Sequence, residues 1–297
     1  MRGRRHGNGQ MLDTAQRKRL LGDNRARFGI TVVVVMVFAA IAAPLIATQD
    51  PLKIDLSNFL AHPSPSHVLG TDIQGRDIWA RLVFGSRVSL TVGLISQGIA
   101  LTLGVTLGLL AGYYGKWVDE LVMRLADVTL AFPTLLLLIA MVAAFQPSMG
   151  VVFVTIGVVG WAGMARLVRG QVLVVRQLEY VQAIRALGAK DVRVMLQHVL
   201  PNVIAPVVIA ATLGVAGAIM AEAALSFLGL GVPAPTPSWG SMIADGRDLD
   251  QLRNAPWTSV FPGMAIGAAV LGFNLLGDAL RDALDPKQQR KAPRADS

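Results

Sequence analysis

Residues 128–165, VTLAFPTLLLLIAMVAAFQPSMGVVFVTIGVVGWAGMA, run for 38 positions without an Asp, Glu, Lys or Arg. A soluble helix keeps one wet face, so an uncharged run of this length has no place in a water-soluble domain. The hydrocarbon layer of a bilayer is crossed by about 20 apolar residues rising about 1.5 Å each. The run is too long for one crossing and about right for two. Gln146-Pro147-Ser148-Met149-Gly150 supplies a strong turn signal between them. The expected spans are 122–144 and 151–168.

The same reasoning extends outward in both directions. Phe28 to Ala47 carries no charge, follows Arg25 and Arg27, and ends at Asp50-Pro51. The 27 residues before it hold eight Lys or Arg but no short apolar core with a small-residue cleavage site, so the tract reads as a retained anchor. A second span is expected at 88–112. Gly93, Gly98, Gly104 and Gly108 punctuate it, and small residues let helices approach closely in lipid. Further spans are expected at 203–225 and 258–280. The whole chain of 297 residues is 53% hydrophobic and 15% charged, with mean hydropathy +0.54. A soluble domain carries about 25% charge. The expectation is an all-α polytopic membrane protein with six transmembrane helices. Its parts are a basic tail (1–27), a first span with an outer segment (28–85), a core (86–285) containing the polar, basic loop 166–202, and a tail (286–297).

Alternating sides gather 21 of the 27 Lys and Arg onto the face that holds both termini, loop 113–127 and loop 166–202. The positive-inside rule makes that face cytoplasmic. The net charge of +8 therefore reports topology rather than nucleic acid. With no Cys, disulfide and thiolate chemistry are excluded.

Enzyme signatures are scarce. There is no G-x-x-x-x-G-K-[ST] to cradle ATP phosphates and no H-E-x-x-H, and Gly229-x-Gly231 lacks the dinucleotide spacing. His62 and His67 read as solvated loop histidines rather than metal ligands. Asp245, Asp248 and Asp250 beside Arg247 read as a solvated loop, not an active site. An ion-driven transporter would need several buried ionisable residues, and Glu222 stands alone in the neutral tract 199–244. The chain is expected to hold no catalytic residue, cofactor or metal.

The most informative stretch is Glu179 to Asn202. It reads as two short helices joined at a glycine. Ala183, Ala186 and Leu187 share one face, and Gly188 suits the left-handed residue that ends a helix. Val192, Met195, Leu196 and Val199 stripe the second helix, and Pro201 fits the first turn of the fifth span. An amphipathic hairpin on lipid headgroups is the competing account of such a loop.

This loop resembles the EAA loop of bacterial ABC importer permeases, whose pattern is E-A-A, three residues, G, nine residues, I-x-L-P. The slots hold Gln182-Ala183-Ile184, Gly188, His198 and Leu200-Pro201, so the Glu, second Ala and Ile positions depart from the pattern. Further stretches resemble the peptide/nickel branch, among them Leu69-Gly70-Thr71-Asp72-x-x-Gly75-Arg76-Asp77, Leu225-Ser226-Phe227-Leu228-Gly229 and Pro237-Ser238-Trp239-Gly240. The resemblance spans 67–286. It implies a type I importer permease core in a bacterial inner membrane, importing di- or oligopeptides or a nickel complex. It implies a second, similar permease, two cytoplasmic ATPases that bind ATP and Mg, and an extracytoplasmic binding protein as partners. It also implies that the segment carrying Glu179, Tyr180, Ala183, Ile184, Arg185, Leu187 and Gly188 couples to the ATPases.

Two residues outside that loop stand out. Glu222 lies about 30 Å along the helix from Pro201, near the outer face, where it either serves an outer gate or bonds a neighbouring loop. Thr71-x-x-Gln74 has the form of a capping box and suggests a short surface helix bearing Ile78, Trp79, Leu82 and Val83 ahead of the second span.

Overall fold

The computed structural model describes residues 22–146 and 148–284. The terminal tails, apart from 22–27, lie outside those residues, as does Pro147 of the expected turn. In chain order the α-helices are α1 (Asn24–Ile41), α2 (Ala43–Ile46), α3 (Ile78–Tyr114), α4 (Lys116–Ala131), α5 (Thr134–Ala144), α6 (Met149–Val175), α7 (Glu179–Ala186) and α8 (Asp191–Val194). A π-helical turn (Met195–Val199) leads into α9 (Leu200–Phe227), followed by α10 (Trp239–Asp245), α11 (Leu249–Asn254) and α12 (Trp257–Leu284). The described residues contain no strand beyond an isolated bridge between Thr71 and Asp77. Among the described residues, five helical runs are long and apolar enough to cross a bilayer, and α4 with α5 makes a sixth if the bent pair counts as one crossing.

That pair corrects the expected third span. The helix breaks at Phe132-Pro133 and turns through 93°. Pro133 has no N–H to continue the ladder, and its ring forces Phe132 into an extended conformation, ψ 140°. Neither half reaches about 30 Å alone: α5, with 11 residues, is about 16 Å long.

The short surface helix before the second span is a second correction. Thr71 caps nothing. Its hydroxyl accepts from the Ala61 amide at 2.7 Å and donates to the Asn58 carbonyl. The N-cap is Asp77, which accepts from the Ala80 amide at 2.7 Å, and from Ile78 the helix continues for 37 residues. The expected division at residue 85 falls inside α3. Likewise α6 runs to Val175, so Arg166 and Arg169 stand on a helix rather than in a loop. They bind Asp127 at 2.5 Å and Asp119 at 2.6 and 2.9 Å on α4.

Glycines set the central packing. A Cβ on Gly104 would come within 2.5 Å of Met164, and one on Gly108 within 2.5 Å of the Ala165 carbonyl, so α3 and α6 meet nearly backbone to backbone. Close approach of this kind gives van der Waals contact that lipid cannot match. Helix α1 lies against α12, where Gly29 faces Leu275, while Val34, Val35, Phe38 and Ile41 stay exposed. In a bilayer that outer face meets acyl chains.

Candidate functional site

The hairpin Glu179–Val199 is built on a buried base. Val181 is fully buried, and Ile184 packs beside it against Tyr113, Val172, Val175, Val194 and Val199. Burying a valine side chain is worth about 1.5–3 kcal/mol. Tyr113, near the end of α3, donates its hydroxyl to Asp191 at 2.7 Å. The Arg185 guanidinium lies 5.1 Å from the Tyr113 ring centroid. These contacts tie both arms of the hairpin to the transmembrane helices. Arg176 donates to the carbonyls of Gly112 and Tyr113 at 2.7 and 3.2 Å, capping the end of α3 beside it.

Helix α7 ends as the glycine predicts. Gly188 has φ +83°, its N–H reaches the Arg185 carbonyl at 2.9 Å, and the Ala189 N–H reaches Ile184 at 3.3 Å. This pair of bonds is the Schellman arrangement, which needs the left-handed residue. The opposite face of α7 is open: Glu179, Tyr180, Ala183, Arg185, Ala186 and Leu187 are exposed, Leu187 at 87%.

The expected stripe of the second arm is corrected. Met195 and Val199 are buried with Val194, but Val192 and Leu196 are 59% and 54% exposed. The cause is the π turn, in which the Leu200 N–H bonds to Met195, five residues back. Pro201 follows it. In a regular α-helix the ring would press on the Gln197 carbonyl four residues back, and the wider turn relieves that clash. The extra residue rotates the face, and the second arm joins α9 as one helical run from Asp191 to Phe227. Asn202 closes the junction by donating to the Tyr180 hydroxyl at 2.9 Å and the His198 carbonyl at 2.7 Å.

Glu222 lies toward the other end of α9, about 30 Å from Pro201. It is fully buried. Its Oε1 accepts from Ser226 at 2.6 Å and from Ser238 at 2.8 Å, while Oε2 has no partner among the described residues. Ser238 also forms the capping box of α10 with Ser241. Next to it the Trp239 indole donates to the Leu82 carbonyl at 3.0 Å, and the Trp239 amide donates to Ser89 at 3.1 Å. Gly240 lets α10 sit on α9, since a Cβ there would come within 2.7 Å of Ala223 Cα and 3.2 Å of Glu222 Oε1. One carboxylate thus fastens the 229–257 segment to the helix that carries the hairpin at its far end.

An ionic cluster on the same side went unrecognised in the sequence. Asp72 accepts from the amides of Gln74 and Arg76, from the Arg76 side chain at 2.6 Å, and from Arg81. Both arginines also donate to Asp245, at 2.9 and 3.0 Å. Asp245 is therefore a cross-loop partner and not merely solvated, which corrects its expected role. Asp248 caps α11 through the Asp250 amide, and Arg247 donates to the Phe227 carbonyl at 2.6 Å. The i,i+4 pair Asp72 and Arg76 was visible in the sequence. Asp245, far along the chain, carried no local signal. The His62 ring lies against Trp257, tilted by 51° with centroids 4.7 Å apart, and His67 pairs with Asp77 at 3.0 Å. No group of three or more His, Cys, Asp or Glu suited to a metal occurs among the described residues.

Known proteins settle what this architecture belongs to. Residues 104–290 match the binding-protein-dependent transport system inner membrane component, and residues 15–63 match the N-terminal TM domain of oligopeptide transport permease C. The chain belongs to the binding-protein-dependent transport system permease family. The permease is 46% identical to the dipeptide transport system permease protein DppC of Alkalihalophilus pseudofirmus over 272 residues, covering 92% of this chain and 89% of the relative. It is 40% identical to the oligopeptide transport system permease protein OppC of Bacillus subtilis over 272 residues, 92% and 88% of the two chains. It is 41% identical to the glutathione transport system permease protein GsiD of Pectobacterium atrosepticum over 259 residues, 87% and 85% of the two. The chain is accordingly a multi-pass inner-membrane permease component.

Proposed function

We propose that this permease forms half of the translocation channel of an ATP-driven ABC importer for di- and oligopeptides. A second, homologous permease supplies the other half. Two cytoplasmic ATPases bind the ATP and Mg, and an extracytoplasmic binding protein delivers cargo. The hairpin face and both termini lie in the cytoplasm, in keeping with the basic imbalance. The relatives named for dipeptide and oligopeptide transport support the cargo class.

The observation that carries this reading is the two-faced hairpin. One face is fixed to α3, α6 and α9 by Val181, Ile184 and the Tyr113–Asp191 bond, and the other presents Ala183, Ala186 and Leu187 outward. A rigid element bonded to the spans on one side and to a moving ATPase on the other passes closure between two discrete positions, as alternating access requires. The helical run from Asp191 to Phe227 then joins the hairpin to Glu222, which we assign to closure of the outer gate.

Ala183→Asp tests the assignment. A charge placed in a packed interface costs several kcal/mol unless it finds a partner. The variant is expected to insert normally and to lose co-purifying ATPase subunits and coupled uptake. A hairpin lying on headgroups would keep the ATPases bound, and full association with full uptake rules out the coupling role.

A further inference from the structure

A cavity of about 430 Å³ opens between α3, the α4–α5 break, α6 and α9, within the roughly 300–1,000 Å³ typical of small-molecule sites. Its walls are mostly apolar, and small residues of α6 and α9 (Gly163, Gly214, Gly217) widen it. No Asp, Glu, Lys or Arg lines it. Small residues alone make room, not a site. The second observation is a set of polar groups without partners. Ser96 is 1% exposed and lines this cavity, but its hydroxyl is sealed behind the wall and bonds to nothing among the described residues, which leaves Gln97 and Thr134 as the unpaired polar groups on the surface. The neighbouring Gln97 carboxamide packs against Gly214, where a Cβ would come within 2.5 Å of Gln97 Cδ. Neither that amide nor the Thr134 hydroxyl across the groove bonds to another described residue.

At membrane depth an unpaired polar group is costly, so polar atoms kept there face a water-filled path or a transient partner. Resting on the importer reading above, we propose that this groove is the passage lining and that Gln97 forms a neutral hydrogen-bonding step for the amide backbone of a passing peptide. A carboxamide both donates and accepts, which matches a peptide unit. The absence of fixed charge leaves the peptide's charged ends uncaptured, so cargo is held weakly enough to leave, as conduction requires.

The chain's lack of Cys permits a direct test in the assembled complex, reconstituted with its partners in proteoliposomes. A Cβ at Gly163 or Gly217 meets nothing within 4 Å, so Gly163→Cys and Gly217→Cys add a thiol without a clash. Both are expected to react with a water-soluble methanethiosulfonate reagent, and the reaction is expected to block import. Gln97→Leu, which keeps the size and removes the hydrogen bonds, is expected to lower uptake of radiolabelled L-alanyl-L-alanine about 3- to 10-fold, the worth of one such bond. Gln97→Asn should retain more. Co-purification of the partner subunits reports assembly of each variant. Unreactive cysteines in an importing complex overturn the passage, and wild-type uptake by Gln97→Leu overturns the amide step. A complex that assembles but imports no L-alanyl-L-alanine refutes the peptide reading and the amide step with it, and the cysteine reaction then still decides whether the groove is the passage.

Discussion

Replacing Gly188 isolates a backbone requirement from side-chain contact. Its φ is +83° and a Cβ would meet nothing within 4 Å, so any penalty within this chain is conformational rather than steric crowding. An alanine in the left-handed region costs about 1–2 kcal/mol, and a β-branched valine reaches about 3 kcal/mol. Asparagine, which visits this region through local hydrogen bonding, costs least. The energy falls on the two closing bonds, Gly188 to Arg185 at 2.9 Å and Ala189 to Ile184 at 3.3 Å. A loss of 1–2 kcal/mol lowers the population of the ordered turn about 5- to 30-fold. Hydrogen exchange at amides 184–189 in the purified complex reads that population, and ATPase co-purification with uptake reads its consequence. Protection and coupling should fall in the order glycine, asparagine, alanine, valine. Wild-type protection in Gly188→Val would refute the strain, and strained but fully coupled variants would refute the need for this turn.

Three further outcomes are expected. Glu222→Gln keeps an acceptor for Ser226 and Ser238, so the complex should assemble while transport or basal ATPase activity changes; wild-type values for both would leave Glu222 a purely structural fastener. Asp72→Asn removes one of the two carboxylates shared by Arg76 and Arg81, leaving Asp245, and should cost about 1.5–3 kcal/mol, read as a lowered melting temperature and new protease cleavage between 48 and 77; unchanged melting would refute the cluster's role. For topology, single cysteines at Arg185 and Leu249 are both exposed, and an impermeant thiol reagent applied from outside should label 249 and spare 185; the reverse pattern would invert the orientation.

Much of this protein was legible from local composition because a bilayer imposes a one-dimensional rule. The uncharged lengths determined that helices cross and about how many do so. Gly188 announced its own left-handed turn, since only glycine takes that conformation cheaply. Gly104 and Gly108 announced a close helix contact, though not that α6 was the helix contacted. The break at Phe132-Pro133 has a local cause, since proline cannot continue the ladder, although the uncharged length around it suits a single straight span. The π turn before Pro201 lay beyond a 3.6-residue periodicity, which assigned Val192 and Leu196 to the wrong face. The distant partners of Glu222 and Arg76 could not be read at all. Ser238 lies 16 residues from Glu222, and Asp245 lies 169 residues from Arg76. A carboxylate's sequence shows that it must find hydrogen bonds, whereas which groups satisfy it is decided only when packing brings distant segments within 3 Å.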